Sequence, residues 1–160
     1  EDIQAGIALK AAAEAIQPHV MQDVQAAVDF ALKQLPAGKR VGVVGFCWGG
    51  LLTWRAASLI RGISAAVPYY GAGVTVGAEL TRQPQCPVMV HFGDQDASIP
   101  IETVHAFIHE QPKVEVQIYK KLGEVRDTLT ISFERDDESM NGLLSWSNCG
   151  EWKIDRVYTI

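Results

Sequence analysis

One cysteine of this chain stands where a nucleophile for acyl transfer would be expected. Cys47 is the central residue of a G-x-C-x-G-G turn that spans residues 45–50. If a helix begins at this turn, its dipole and free N–H groups favour the thiolate, the form in which a cysteine attacks a carbonyl carbon. The backbone N–H of Trp48 would then point to the oxygen on which negative charge develops. A buried cysteine in a glycine-rich turn is the alternative interpretation.

The stretches on either side of this turn are those that a nucleophile elbow requires. Residues 40–45 form a valine-rich apolar run, which is typical of a buried strand in a parallel sheet. A helical pattern follows directly over residues 48–60. A strand, a tight glycine turn and a helix hold the central residue in a strained backbone conformation. This context favours the nucleophile over the structural cysteine.

A further apolar strand, predicted over residues 87–92, leads two carboxylates into a loop. Asp94 and Asp96 follow this strand closely. In a nucleophile–base–acid system, the acid orients and stabilises the histidine, and either residue has the chemistry to do so. Asp94 could equally be a loop residue that bonds its own backbone. His91 lies inside the strand, and we interpret it as a core histidine rather than as the base.

Two other groups of side chains invite a functional interpretation. Tyr69 and Tyr70 fall at the carboxyl end of a predicted strand, where α/β sheets place their ligands. We assign Tyr70 to substrate binding, with core packing as the alternative. His105 and His109 are one turn apart on a predicted helix, but no third metal ligand accompanies them. We therefore interpret these histidines as exposed helix residues and expect no metal site.

The order of the elements predicts an α/β fold with a mostly parallel sheet. Helical patterns cover residues 1–17, 19–35, 48–60 and 101–110, and strand patterns cover 40–45, 63–69, 87–92 and 114–119. Pro68 is awkward in a central strand and is expected near its end. The last forty residues differ, with short strands predicted at 129–133 and 152–160, a charged turn at 135–139, and no final amphipathic helix.

Composition narrows the classes of protein to consider. The chain has 160 residues, of which 48% are hydrophobic and 21% charged, as in one globular domain with a real core. The formal net charge of −5 argues against a broad basic surface for nucleic acid. No apolar run approaches the roughly 18 residues of a membrane span. The three cysteines are odd in number and form no close pair, so we expect free thiols and a cytoplasmic location.

Four stretches of the chain together resemble the dienelactone hydrolases, also called carboxymethylenebutenolidases, of the α/β-hydrolase superfamily. They are DVQAAVDFAL, VGVVGFCWGG, AAVPYYG and PVMVHFGDQDASIP. The resemblance runs from about residue 20 to Tyr119. It implies a partial hydrolase domain over residues 1–119 with a three-layer α/β-hydrolase-like sandwich, truncated on its N-terminal side. Residues 120–160 would then be a tail of uncertain fold that does not resemble the family.

The resemblance also implies a site and a reaction. Cys47 would be the nucleophile, Asp96 rather than Asp94 the triad acid, and Trp48 an oxyanion-hole donor. The substrate would be a small ester or lactone, cleaved through an acyl-enzyme without a metal or an organic cofactor.

The chain departs from the family pattern at two places. The family's histidine follows the strand that corresponds to residues 114–119, in a Gly-His-Gly/Ser-Phe turn, whereas no histidine occurs here after His109. Because general-base help is worth ~10²–10⁴ in rate, we expect impaired turnover. The family also has several strands before the helix at residue 20. Without them the sheet has an exposed edge, which favours aggregation or pairing with another chain.

Three other functions compete with the cysteine hydrolase. A catalytically inactive hydrolase-like remnant is favoured by the absent histidine. A class I glutamine amidotransferase-like domain also has a cysteine elbow, but it needs a His-x-Glu motif, and the chain offers only His109 directly followed by Glu110. A thiol redox sensor that uses Cys47 has less support, since no resolving cysteine lies nearby in sequence.

Overall fold

The structure is a computed structural model that describes residues 2–120, 129–134, 139–146 and 152–154. The chain divides into two compact units, Glu1–Gly123 and Glu124–Ile160. Among the residues that the structure describes, no helix has both the length and the apolar character that crossing a bilayer needs.

The first unit alternates helices and strands as the sequence predicts. Its elements are α1 (Asp2–Ala15), α2 (Gln17–Gln34), β1 (Val41–Phe46), α3 (Trp48–Leu59), β2 (Ile63–Tyr69), α4 (Gly77–Leu80), β3 (Met89–Gly93), α5 (Ile101–Glu110) and β4 (Glu115–Tyr119). Each predicted strand and helix is present, and its ends lie within two residues of the predicted ones. The prediction of an α/β fold is therefore confirmed.

The four strands form one sheet in the order β1-β2-β3-β4, and every neighbouring pair is parallel. The pairing of β2 with β3 is sparse, with Tyr69 opposite His91 and an isolated bridge between Ala66 and Val88. Pro68, the last but one residue of β2, explains this. The N–H groups on either side of it, of Ala66 and Tyr70, donate toward the β3 side, where proline has no hydrogen to give.

Two apolar clusters hold the helices on the sheet. The larger one joins α3 and α5 to β2, β3 and β4, with Trp54, Phe92 and Phe107 as its largest buried side chains. Trp54 and Phe107 meet edge to face with their ring centroids 5.2 Å apart. The smaller cluster packs Val28 of α2 against Ala56 and Ile60 at the end of α3. Both clusters contain residues of α3, so this helix is fixed along its whole length.

The second unit contains a three-stranded antiparallel sheet in the order β5-β6-β7. Its strands are β5 (Leu129–Glu134), β6 (Ser139–Trp146) and β7 (Trp152–Ile154). The sequence predicts strands near the first and last of these positions, but it does not predict β6. The pair Asn141-Gly142 is typical of a hairpin turn, yet here it lies inside a strand, where Gly142 pairs with Ile131. Most of the predicted charged turn, residues 135–138, lies outside the described residues.

Candidate active site

The turn after β1 has the geometry of a nucleophile elbow. Cys47 has φ 54° and ψ −120°, which puts a non-glycine residue on the left-handed side of backbone space. Its N–H donates to the Tyr69 carbonyl oxygen at 3.0 Å, and its own carbonyl oxygen accepts from Gly50 N at 2.9 Å. Cys47 is also the N-cap of α3, and it is exposed. The backbone therefore presents this thiol to solvent at the start of a helix.

Three glycines make this elbow sterically feasible. A Cβ on Gly45 would collide with the Gly49 carbonyl oxygen and the Thr53 hydroxyl. A Cβ on Gly50 would collide with the Tyr69 carbonyl oxygen, and one on Gly71 would come within 2.6 Å of Leu51 N. The first turn of α3 thus rests directly on the ends of β1 and β2, because no side chain separates the backbones.

Trp48 combines a backbone N–H at the start of a helix with a half-buried side chain. It is the first residue of α3, so its backbone N–H belongs to the group that has no intrahelical acceptor. The indole packs against the larger core cluster. Its Nε1 is buried without a hydrogen-bond partner in the described part of the chain. Such an unpaired donor costs about 1–3 kcal/mol, so this side chain is held by packing at the expense of a hydrogen bond.

Tyr70 follows β2 and is the second non-glycine residue of the described chain with positive φ, at 36°. Its N–H donates to the His91 carbonyl oxygen at 2.8 Å, which fixes the strained backbone to β3. Partial burial raises the pKa of its phenol, and the charges of Cys47 and Asp96 raise it further. The phenol is therefore a protonated donor at neutral pH, within the electrostatic reach of both groups. The Tyr70 side chain is also packed against the larger core cluster, as the alternative of core packing expects, and the neighbouring Tyr69 is buried.

The loop after β3 carries both carboxylates. The Asp94 N–H donates to the Tyr119 carbonyl oxygen at 3.1 Å, which extends the contact between β3 and β4. Asp96 Oδ1 accepts from Ser98 N at 2.8 Å, in a turn of the Asx kind. Because β1, β2 and β3 are parallel neighbours, the residues that follow them lie at the same edge of the sheet. Cys47, Tyr70 and Asp96 are thus all at the carboxyl edge.

His91 lies in the core, as the sequence analysis interprets it. His91 is buried, with its ring stacked on Tyr69 at a centroid distance of 4.2 Å and on Tyr119 at 5.7 Å. Its Nδ1 shares a hydrogen bond of 2.8 Å with the Tyr119 hydroxyl. Burial lowers the pKa of His91 to about 4, although the charge of Glu115 opposes this shift. The ring is therefore neutral at pH 7 and is part of the core.

His105 and His109 are exposed on α5, and His19 is exposed on α2. Among the residues that the structure describes, no three His, Cys, Asp or Glu side chains are grouped as metal ligands would be. The resemblance predicts a histidine after β4, at the same edge as Cys47, whereas the sequence has no histidine after His109.

The sequence does not predict the strained backbone conformation of Tyr70 or the contacts of the residues that follow it. The only signal for the strain is the position of Tyr70 between the end of a strand and Gly71, a common place for a sharp change of direction. No periodicity predicts the buried carboxylate of Glu79, because a single acidic residue in a connection normally faces solvent.

Comparison with known proteins places these features in a family. The model of the dienelactone hydrolase family matches residues 2–123, which extends the predicted resemblance toward the N-terminus. A Methylorubrum extorquens protein described as a carboxymethylenebutenolidase is 36% identical over 94 residues, which are 53% of this chain and 32% of that protein.

Two solved structures are similar to the chain. One, described as a dienelactone hydrolase of Klebsiella pneumoniae, is 28% identical with a TM-score of 0.54, and the match covers 64% of this chain and 48% of that one. A dienelactone hydrolase-like promiscuous phosphotriesterase from metagenomic libraries is 29% identical with a TM-score of 0.53, over 69% of this chain and 47% of that one.

These matches are partial. The alignments with the first curated relatives cover 32–44% of the length of those proteins. The match to the family model nevertheless spans residues 2–123, which include the four strands of the first unit, the elbow and the loop of the candidate site. This chain belongs to the dienelactone hydrolase family and has the fold of the α/β-hydrolases.

Proposed function

We propose that this chain cleaves ester or lactone bonds of small molecules, with Cys47 as the nucleophile. The observation that carries the proposal is the backbone of Cys47, a strained residue at the junction of β1 and α3. Strain of this kind costs about 1–3 kcal/mol and persists where function requires it. Membership in the dienelactone hydrolase family supports the reaction class.

The first half of the reaction is acyl transfer to sulfur. The Cys47 thiolate forms a bond to the carbonyl carbon, and the electron pair of the C=O bond moves to the oxygen. In this proposal, the backbone N–H of Trp48 donates a hydrogen bond to this oxyanion. When the C=O bond forms again, the C–O bond to the leaving group breaks, and the alcohol or enol takes a proton from solvent. The product is a thioester on Cys47.

We expect the second half of the reaction, hydrolysis of the acyl-enzyme, to be slow in this chain. Water must attack the thioester, and in the family pattern a histidine supported by the acid takes the proton of that water. No histidine follows β4 in this sequence. Asp96 supplies a carboxylate at the correct edge, and Tyr70 a protonated phenol that can contact the substrate. We expect acylation to proceed and hydrolysis of the acyl-enzyme to be slow.

The test is release of p-nitrophenol from p-nitrophenyl acetate by the full chain. A burst of one equivalent followed by slow turnover is expected, and Cys47→Ala should abolish the burst. Cys86→Ala is the matched control. Cys86 is half-buried, it lies before β3 at the opposite edge of the sheet, and burial raises the pKa of its thiol. A burst that survives in Cys47→Ala would reject the proposal, whatever the result for Cys86→Ala.

A phosphotriester is a second substrate class, supported by the 29% identity with the metagenomic phosphotriesterase. A thiolate that attacks phosphorus would expel p-nitrophenolate from diethyl p-nitrophenyl phosphate and retain the phosphoryl group on sulfur. The same pair of cysteine variants decides whether this release depends on Cys47. Release that is equal in all variants would exclude this substrate class for the site.

A further inference from the structure

The connection between β2 and β3 contains a buried carboxylate that the proposed reaction does not use. Glu79 is 8% exposed. Its Oε1 accepts from Arg55 Nε at 2.8 Å, and its Oε2 accepts from Arg82 Nε at 2.6 Å. Arg82 Nη2 also donates to Oε1 at 3.0 Å. We call these three residues the Glu79 clamp.

The Glu79 clamp is an ionised unit. Burial by itself would raise the pKa of the Glu79 carboxyl, but the hydrogen bonds and charges of Arg82 and Arg55 outweigh it and lower this pKa. Replacing a buried ion pair by apolar side chains of similar volume is often neutral for stability or stabilising. Stability alone is therefore a weak reason for such a cluster. A set of directional hydrogen bonds does, however, fix the position of a chain segment more narrowly than apolar contact does.

The clamp connects the two helices that begin beside the proposed catalytic residues. It reaches α3, the helix that starts after Cys47, through Arg55 and through a bond of 3.1 Å from Trp54 Nε1 to the Glu79 carbonyl oxygen. It reaches α5, which follows the loop of Asp96, through the carbonyl oxygens of Leu80 and Arg82. Both carbonyls accept from Gln111 Nε2, directly after α5, at 2.7 and 3.0 Å.

A second hydrogen bond ties the same connection to the start of α5. The hydroxyls of Thr75 and Thr103 are 2.8 Å apart. Thr75 is buried, and Thr103 lies in the first turn of the helix. The connection begins at Gly71, whose backbone rests against the first turn of α3 directly after the strained Tyr70. Everything that holds residues 71–82 in place therefore also restrains the backbone on the C-terminal side of Tyr70.

We propose that Glu79 is a positioning residue of the site. The clamp holds residues 71–82 against α3 and α5, and in this way it keeps the Tyr70 side chain in its position relative to the Cys47 thiol. This inference rests on the proposed function, in which Tyr70 contacts the substrate. Glu79 itself does not touch the reacting atoms.

The first test is Glu79→Gln, which removes the charge and one acceptor with little change of shape. Because a misplacement of about 1 Å can cost ~10²-fold in rate, we expect the rate constant of the p-nitrophenol burst to fall about tenfold to a hundredfold. Alkylation of Cys47 by iodoacetamide, followed by peptide mass spectrometry, should change less than about twofold, because that reaction does not need Tyr70. A burst unchanged in a folded Glu79→Gln protein would overturn the proposal.

Two further variants separate positioning from general loss of stability. Arg82→Lys keeps the charge but loses the two-point contact, so we expect a burst about threefold slower in a protein that remains folded. Glu14→Gln is the matched control, since Glu14 forms an exposed pair with Lys10 at 3.6 Å, and its burst should equal that of the unmodified chain. Equal effects of Glu14→Gln and Glu79→Gln would contradict the positioning role.

Hydrogen–deuterium exchange keeps the inference testable even if the proposed function fails. If the unmodified chain shows no Cys47-dependent burst, the function is rejected, and exchange then decides the positioning claim alone. The N–H groups of Tyr70, Val74 and Val76 are hydrogen-bonded. In Glu79→Gln these amides should exchange about tenfold faster, while those of β4 stay unchanged. Equal exchange of residues 70–76 in both proteins would overturn the proposal.

Discussion

The two loops that place a thiol and carboxylates at the carboxyl edge of the sheet are held by different kinds of contact. The elbow, residues 45–51, is fixed by backbone packed on backbone: Gly45 and Gly50 leave no room for a side chain, and Cys47 is strained. The acid loop, residues 94–99, is fixed by hydrogen bonds. In one of them, Ser98 N donates to Asp96 Oδ1. Of its side chains, Ile99 is buried.

The difference shows which part of the site the chain positions by itself. The close backbone contacts at Gly45 and Gly50 of the elbow are all made within residues 45–71. A triad acid acts through a histidine, and this sequence has none after β4. We therefore expect the elbow to respond sharply to small steric changes and the acid loop to tolerate them.

The largest effect should come from adding a methyl group to the elbow. In Gly45→Ala the new Cβ would collide with the Gly49 carbonyl oxygen, so we expect a loss of about 3 kcal/mol or more in the free energy of unfolding. Urea denaturation measures this loss. Gly49→Ala is the matched control, because no heavy atom lies within 4 Å of its Cβ position, and its stability should change by less than about 1 kcal/mol. Equal losses in the two variants would contradict the steric account.

The next effect concerns the strand that carries the acid loop. The folded-state pKa of His91 is about 4, below the ordinary histidine value of 6.5, so the unfolded chain binds more protons between these values. Stability should therefore fall as the pH is lowered from about 6.5 to 4, by up to about 3 kcal/mol from this residue. His91→Gln should lose this pH dependence. If thermal unfolding of both proteins follows the same pH profile, the buried neutral state of His91 is wrong.

The effect of relieving the backbone strain at Cys47 on stability should be smaller. Glycine adopts positive φ without the steric cost that a side chain incurs, so Cys47→Gly should be more stable than Cys47→Ala by about 1–2 kcal/mol. Chemical denaturation of the two variants makes the comparison, and neither carries the thiol. If the alanine variant is the more stable of the two, the strained backbone at residue 47 is not present in solution.

The smallest effects are expected in the acid loop. Asp96→Ala removes the acceptor of the Ser98 N–H, which should lower the free energy of unfolding by about 1 kcal/mol. With no histidine to orient, the rate constant of the p-nitrophenol burst should fall by less than about tenfold. A loss of a thousandfold would mean that Asp96 acts on the acylation step directly, and the contrast between the two loops would then fail.

Much of this architecture is predictable from sequence because it is local. The valine-rich run, the glycine turn and the helix of residues 48–60 are neighbours along the chain, so their periodicity and spacing alone indicate the elbow. The same reasoning places Tyr70 at the correct edge of the sheet, but its positive φ depends on the packing of Gly71 under α3.

The features that are not predictable join distant residues. Arg55 and Glu79 are 24 positions apart, and Thr75 and Thr103 are 28 positions apart. No periodic pattern in the sequence predicts contacts between residues so far apart. The sparse pairing of β2 and β3 follows from Pro68, but only once its neighbours are known. Strand β6 is not predicted from the sequence because its pairing with β5 overrides the local turn preference of Asn141-Gly142.

The most direct test of the central claim is peptide mass spectrometry after a brief reaction of the full chain with p-nitrophenyl acetate. The account predicts one acetyl group on the peptide that contains Cys47, formed in the burst and lost slowly, with the peptide of Cys86 unmodified. Acetylation spread over lysines and other cysteines, with no preference for Cys47, would contradict the claim that the elbow presents a working nucleophile.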